Sequence, residues 1–501
     1  MTKLPESSLE TYFSAYRKNI IGIDQEFEGP YGKKKIVYAD WTASGRMYEV
    51  IEKELREKFY PFVANTHTET NMTGSSMTLA YKEARHIIKR HVHAHDKDIL
   101  ISSNAGMTGV VNKLQRILGL KIHEKFQDKI TLTPQERPVI FITHMEHHSN
   151  QTSWLETTAE VVVIDPDPQG LVDVKNLEVL LEKYKDRQIK IAAITSCSNV
   201  TGIATPYHKV AGIMHRADGY CFVDFACSAP YIDIDMHPPV ADEYLDAIYF
   251  SPHKFLGGPS SSGILIFNHK LYNNRIPDNP GGGTVDWTNP WGEHKYHEEI
   301  EAREDGGTPA FLQTIRVALS ILLKEEMGVP NILAREHQLL GIIWNKLPGI
   351  PGVHILAELV KDRLGVISFY IEGLHFNLAV KLLNDRFGVQ VRGGCSCAGT
   401  YGHYLLEVSY EKSKMLTDEI SLGILANKPG WVRMSIHPTM TNREIEYILD
   451  AIDAVARNHQ LWSNDYKYDS CTNEWTHKTN NKTEHQLVQQ WYNINFSGEE
   501  N

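Results

Sequence analysis

The stretch Leu245-Asp-Ala-Ile-Tyr-Phe250 runs directly into Ser251-Pro-His-Lys254 and then Phe255-Leu-Gly-Gly-Pro259. An apolar, aromatic-rich run of that length reads as a buried strand, and the Pro and Gly residues that follow end it in turns. Lys254 is thereby set at the carboxyl end of a strand, the edge on which open α/β sheets bind ligands. Reading outward, six more strand-like runs appear: DILIS from Asp98, VIFIT from Val139, EVVVID from Glu160, IKIAAIT from Ile189, YCFVD from Tyr220 and GILIF from Gly263. Between them GVVNKLQRILG, VKNLEVLLEKY and HKVAGIMHRA repeat apolar residues three or four apart, as amphipathic helices do. Strands alternating with helices predict an α/β domain built on a mostly parallel sheet. Beyond a Gly-, Pro- and Trp-rich loop, GVISFYI, GVQVR and WVRMSI read as strands, with NLAVKLLNDRF and NREIEYILDAIDAVA as helices. The expected organisation is a large domain over 31–315 and a smaller α+β C-terminal domain over 316–458. An N-terminal segment, 1–30, packs on the small domain, and a peripheral tail occupies 459–501.

Composition narrows the function classes. A net charge of −11 offers no overall positive field for nucleic acid or an anionic membrane surface. No apolar run is long enough to span a bilayer, and MTKLPESSLETYF lacks the apolar core of a secretory leader. The six cysteines are too few and too irregularly spaced for a disulfide framework, and no paired CxxC motif marks structural zinc. The expectation is a cytoplasmic enzyme with free thiols, no membrane, no nucleic acid and no metal.

Three further strand ends carry chemistry. YCFVD stops at Asp224, VIFIT is followed by His144-Met-Glu-His147-His148-Ser-Asn150, and DILIS leads into Asn104-Ala-Gly-Met-Thr108-Gly109 before a helix. Each has a bland counterpart. A loop lysine is usually solvated, a strand-end aspartate caps loops, an HxxHH run can bind metal, and Gly with Thr at a helix start is common structural punctuation. Together they match the needs of pyridoxal phosphate (PLP): a lysine for the aldehyde, a carboxylate to keep the pyridine nitrogen protonated, an imidazole for the ring face, and a helix N-terminus for the phosphate. The His91-Val-His-Ala-His95 run closes a helix and reads as charge placement at its C-terminus.

From about residue 30 to 458 the chain resembles class V aminotransferase-fold PLP enzymes (fold type I), and among them the cysteine desulfurase and selenocysteine lyase branch. SPHK is similar to the family's Ser-Gly-His-Lys, which implies that Lys254 is the Schiff-base lysine and that Ser251 and His253 contact the phosphate. MEHHSN resembles the ring-stacking segment, with His147 on the cofactor ring. GMTGVVN resembles a Gly-Thr-Thr-Glu-type phosphate turn through Thr108. SNVTG resembles Ser-Asn-x-x-Gly, which puts Asn199 near the ring oxygen and the substrate. EDGGTPA resembles Glu-x-Gly-Thr-Pro, which implies that Thr308 reaches the phosphate of a partner subunit in a homodimer. VQVRGGCSCAG is similar to Arg-x-Gly-x-x-Cys-Ala, which implies that Arg392 lies near the site and that Cys397 is the nucleophile. WVRMSI resembles the closing Arg-x-Ser stretch, with Arg433 as the clamp for the substrate carboxylate.

The resemblance has gaps. Cys227 stands where the family has Gln or His after Asp-x-Ala, Gly109 replaces the phosphate-turn glutamate, and the segment from Thr400 to Gly430 is longer than usual. The implied activity is removal of sulfur or selenium from L-cysteine or an analogue through a Cys397 persulfide, yielding alanine, with a sulfur-acceptor protein as a further partner. Transamination, C–S lyase chemistry or epimerisation on the same PLP site are the alternatives, because they need Lys254, Asp224 and His147 but not Cys397. A non-catalytic binding module is a third. Cys395 is either a second, resolving thiol or incidental.

Overall fold

The structure is a computed structural model that describes residues 8–66, 68–479 and 483–496. Seven strands form the central sheet: β1 Ile99–Ser103, β2 Val139–Thr143, β3 Glu160–Ile164, β4 Lys190–Thr195, β5 Tyr220–Asp224, β6 Ala247–Phe250 and β7 Gly263–Phe267. Their spatial order is β1-β7-β6-β5-β4-β2-β3. All neighbours run parallel except β7, which is antiparallel to both β1 and β6. Strands β2, β4 and β6 are buried at every position, as strands covered on both faces must be.

Register brings the chemistry to one edge. Thr195 pairs with Asp224, and Asp224 with Tyr249, so the carboxyl ends of β4, β5 and β6 lie side by side. The chain leaves β6 through a 3₁₀ turn, Pro252–Lys254. The helix Gly106–Ile117 begins beside that turn, its apolar face of Val110, Val111, Leu114 and Ile117 buried on the sheet.

A second sheet holds β8 Val353–Ile355, β9 Val366–Ile371, β10 Arg392–Gly394 and β11 Trp431–Ser435 in the order β8-β9-β11-β10, antiparallel throughout. The helices Phe376–Phe387 and Asn442–Trp462 pack on each other beside it, and Ile445, Ile448, Leu449, Ile452 and Val455 of the second are buried. The helix Leu9–Arg17 buries Leu9 and Phe13, and its Arg17 pairs with Glu444 at 2.6 Å.

One extended segment ties the two sheets together. Val37 and Tyr38 pair in parallel with Val389 and Gln390, the Ser435 N–H donates to the Ala39 carbonyl at 2.8 Å, and the Gly45 N–H donates to the His253 carbonyl at 2.9 Å. A Cβ on Gly45 would stand 1.9 Å from the Phe255 carbonyl oxygen, so only glycine permits the chain to come this close to the lysine turn.

The tail departs from the sequence expectation of a stretch with little periodicity. Tyr466–Asp469 and Glu474–His477 form a hairpin, and Thr483–Trp491 is a helix. The hairpin is held by its turn: the Asn473 carbonyl accepts from the Asn377 amide at 2.6 Å, and its side-chain oxygen faces His375 at 3.0 Å. Turn chemistry of this kind needs few residues and leaves no long hydrophobic period to read.

Candidate active site

A cavity of about 240 Å³ opens where the carboxyl edge of the large sheet faces the small domain, and it is lined by Thr108, His147, Asn199, Asp224, Ser251, His253, Lys254, Arg392, Cys397 and Arg433. The residues to which the family resemblance gave a site role are therefore in one place except Thr308, which is exposed and does not line the cavity.

The floor is a strand end. Asp224 is 3% exposed and accepts the Ala226 N–H at 2.8 Å. Burial pushes its carboxyl up to about 6, against the pull of the nearby Lys254 charge. Burial likewise drives the Lys254 ammonium below the usual lysine range, a shift that Cys227 and Asp224 oppose and the two arginines reinforce. A lysine so placed favours its neutral, nucleophilic amine.

The phosphate-sized end is a helix N-terminus. Gly106 takes φ +58°, a left-handed turn suited to glycine, and the Met107 N–H donates to Ser251 Oγ at 2.9 Å. Thr108 Oγ1 lies 2.7 Å from Ser149 Oγ. Free N–H groups, three hydroxyls and the helix dipole converge here on a site for an anion.

His147 caps the helix His148–Leu155 by accepting the Ser149 N–H on Nδ1 at 3.1 Å. Burial and the charges of Lys254, His148 and Arg433 push it down to about 3, so the ring is neutral with its proton on Nε2. The three histidines of the HxxHH run are not directed at one point. His144 Nε2 lies 3.1 Å from the Gly170 carbonyl, and His148 Nε2 accepts the Gly399 N–H at 3.0 Å, so the three rings serve three different partners. Among the described residues the metal-compatible cluster is His95, Asp98 and His237, distant in sequence from that motif. Its two imidazoles stack face to face at 3.6 Å with their planes 2° apart, an arrangement in which one ion cannot lie in both ring planes.

Cys197 and Cys227 sit at the cavity's inner wall, and both thiols lean on the Ser198 carbonyl, at 3.6 and 3.7 Å. The hydrogen bond from Cys197 lowers the Cys227 thiol below the usual range, helped by Lys254 and Arg433.

The opposite wall comes from the second sheet and the loop after β10, which Asn199 meets. Asn199 donates to the Ser396 carbonyl at 2.7 Å and leaves its own side-chain oxygen buried without a partner among the described residues. Ser396 and Cys397 both take positive φ, 52° and 57°, and the Cys397 carbonyl accepts the His148 N–H at 2.7 Å. That kink leaves the Cys397 side chain exposed at the cavity wall, whereas Cys395 is half-buried against the core of the large sheet. Arg433 is 3% exposed and donates to the Asn199 carbonyl at 3.1 Å and to Asp40 at 2.9 Å; Arg392 donates to the other oxygen of Asp40 at 3.1 Å. Asp40 was missed by sequence reading. Its one signal is a position in the short extended run Val37-Tyr-Ala-Asp40, which shows neither arginine, and Ser149 and Ser396 were missed for the same lack of long-range information.

The residues fit PLP. The buried Asp224 carboxylate suits a protonated ring nitrogen, the helix N-terminus suits a phosphate, and the orphaned Asn199 oxygen is a buried polar atom that a ligand would satisfy.

The family description Aminotransferase class-V matches residues 37–448. The chain is 28% identical over 380 residues to a probable cysteine desulfurase of Halalkalibacterium halodurans, covering 75% of this chain and 86% of that one. It is 24% identical to a cysteine desulfurase of Haloferax volcanii, covering 84% and 89%. Among solved structures, the cysteine desulfurase of Thermococcus onnurineus superposes with a TM-score of 0.70 at 22% identity, over 91% of this chain and 99% of that one. The cysteine desulfurase CsdA of Escherichia coli gives 0.68 at 21%, over 90% and 98%. The structural matches establish the α/β, fold type I architecture, and the match across most of its length makes the chain a cysteine desulfurase-like member of the class-V aminotransferase family.

Proposed function

We propose that the protein is a PLP-dependent cysteine desulfurase acting on L-cysteine or a close analogue such as selenocysteine. The observation that carries this reading is the exposed Cys397, turned by two left-handed residues into the cavity that also holds Lys254, Asp224 and Arg433. Transamination or elimination would need the last three and leave that thiol without a task.

Thr108, Ser251, His253 and the backbone at Gly106–Met107 would hold the cofactor's phosphate, Asp224 its ring nitrogen, His147 its ring face, Asn199 its ring oxygen and Lys254 its aldehyde. When bound, PLP draws electron density from the α-carbon of an amino acid. The chain does the rest. Arg433 holds the α-carboxylate. The Lys254 amine takes the α-proton and returns it, with the neutral His147 beside it. The Cys397 thiolate attacks the substrate sulfur; an S–S bond forms as the C–S bond breaks, the bonding pair stays on the β-carbon and takes up the proton given up by the substrate thiol, and the sulfur stays on Cys397 as a persulfide while the carbon skeleton leaves as alanine.

Thr308, exposed outside its own cavity, is assigned to the phosphate of a second copy in a homodimer. The persulfide is assigned to a sulfur-acceptor protein. All six cysteines are free, and no described helix is long and apolar enough to cross a membrane. The reading is a cytoplasmic enzyme.

The test is incubation with L-cysteine followed by assay of alanine and of the mass of the Cys397 peptide. Alanine together with one added sulfur atom on Cys397 is the expected result. Pyruvate and ammonia instead would replace the reading with C–S lyase chemistry.

A further inference from the structure

Two thiols on the inner wall of the cavity have no part in the chemistry above. Cys197 follows β4 and Cys227 follows β5, and the ends of those strands, Thr195 and Asp224, are register partners, so the two chains leave the sheet side by side. Their neighbours touch, with Ser196 Oγ and Ser228 Oγ 2.5 Å apart. Both sulfurs stand against one oxygen, the Ser198 carbonyl, at 3.6 and 3.7 Å, and Val366 packs against them as a small apolar cluster. The other cysteines lie elsewhere: Cys221 is buried within β5, Cys395 is half-buried, and Cys397 and Cys471 are exposed.

The pair is asymmetric. A hydrogen bond from Cys197, with the charges of Lys254 and Arg433, holds the Cys227 thiol below its usual range against burial and Asp224. The same bond, burial and the Cys227 charge hold the Cys197 thiol well above that range. Cys227 is thus the sulfur that ionises and Cys197 the one that keeps its proton, the division of tasks between an attacking and a resolving cysteine. Both residues line the cavity and are otherwise buried, at 4% and 1% exposed. The cavity is therefore the way in for a small oxidant, and a ligand that fills the cavity closes it.

We propose that Cys227 and Cys197 are a peroxide-reactive modification site that closes into an internal disulfide and that a bound cofactor shields. The Cys227 thiolate attacks one oxygen of hydrogen peroxide; an S–O bond forms, the O–O bond breaks, and hydroxide leaves and takes up a proton. Cys197 then attacks the Cys227 sulfur; an S–S bond forms, the S–O bond breaks, and the hydroxyl leaves as water with the Cys197 proton. Two thiols and one peroxide give one disulfide and two waters, and a small thiol reductant restores the pair. The disulfide removes from the inner wall the sulfur anion that faces Lys254 and Arg433. The site itself does not depend on the desulfurase reading; its shielding rests on PLP occupying the cavity.

The full-length protein, with and without saturating PLP, is treated with stoichiometric hydrogen peroxide, blocked with N-ethylmaleimide in denaturant, digested and analysed by mass spectrometry. The expected product without PLP is a cross-linked pair of peptides carrying Cys197 and Cys227, lighter by two hydrogens than the free pair and split by dithiothreitol. PLP should slow its formation by about tenfold or more once nearly all cavities are filled. Cys197→Ser should stop at a Cys227 sulfenic acid trapped by dimedone, and Cys227→Ser should leave Cys197 unmodified. Absence of the cross-link, a disulfide to Cys395 or Cys397 in its place, or a rate unmoved by PLP whose binding the visible absorbance reports overturns the proposal. The wild-type product decides even if a serine variant does not fold. Alanine release from a protein that forms no cross-link would sink this proposal alone; the cross-link without alanine release would sink the desulfurase reading alone.

Discussion

The two walls of the cavity are built in opposite ways. The large-domain wall is made of strand ends and helix caps: Asp224 ends a strand between two neighbours, Lys254 follows the next strand by one 3₁₀ turn, and His147 and Met107 open helices. The small-domain wall is a short strand and a kinked loop, Arg392 to Ala398, with two non-glycine residues at positive φ and a half-exposed arginine. The first wall has the rigidity needed to hold a cofactor in one pose. The second presents an exposed thiol, which on the proposed function must first meet a substrate and then give up what it has gained. Rigid placement and exposed reach are separate demands, and the chain meets them at separate sheets.

The sharpest way to break that division is to remove its two nucleophiles in turn. Lys254→Ala should lower turnover by about 10³-fold or more and abolish the visible absorbance of the bound cofactor, because both walls depend on that amine. Cys397→Ser should cut alanine release from L-cysteine by about 10²-fold or more and leave the absorbance unchanged, since the thiol touches the substrate and not the cofactor. Loss of the cofactor signal in Cys397→Ser would mean that the two walls are one unit.

The arginines grade the small-domain wall. Arg433→Ala, which removes a 4%-exposed side chain, should raise the KM for L-cysteine by about 10²-fold, whereas Arg392→Ala, at 51%, should raise it about tenfold or less. Equal effects would contradict the separation into a buried and a half-exposed arginine.

A further effect, read in stability rather than turnover, tests a buried acid behind the cavity. Glu336 is 1% exposed, and burial pushes its carboxyl up to about 8 from an ordinary 4.5, so the folded protein keeps a proton that the unfolded chain gives up. Stability from this group is therefore intact at low pH and is lost as pH rises from about 5 to 8. Urea unfolding of the wild type and Glu336→Gln across that window should diverge with rising pH by on the order of 4 kcal/mol, with the variant gaining.

What was legible follows the same division. The large-domain wall could be read because a strand end followed by a turn is a local signal: LDAIYF-SPHK, YCFVD and VIFIT-HMEHH each announce where their side chains emerge. Cys397 and Arg433 were found through motif resemblance, not through local pattern. Asp40 was invisible, because its meaning depends on residues more than three hundred and fifty positions away. The positive φ of Ser396 and Cys397 was equally hidden, since neither is a glycine. The hairpin at Tyr466–Asp469 was passed over because its hold on the small domain is made by the side chain and carbonyl of one turn asparagine.

The segment from Val37 to Gly45 has a consequence for how the chain comes into being. It leaves the ribosome early, yet Val37 and Tyr38 must wait for Val389 and Gln390, and Ala39 for Ser435. At about 5–20 residues per second, roughly 20 to 80 seconds of synthesis separate the two halves of the substrate pocket. Through that interval an unpaired strand edge and a lone acid are carried by an otherwise maturing chain, and the cavity closes only after Ser435 has been made.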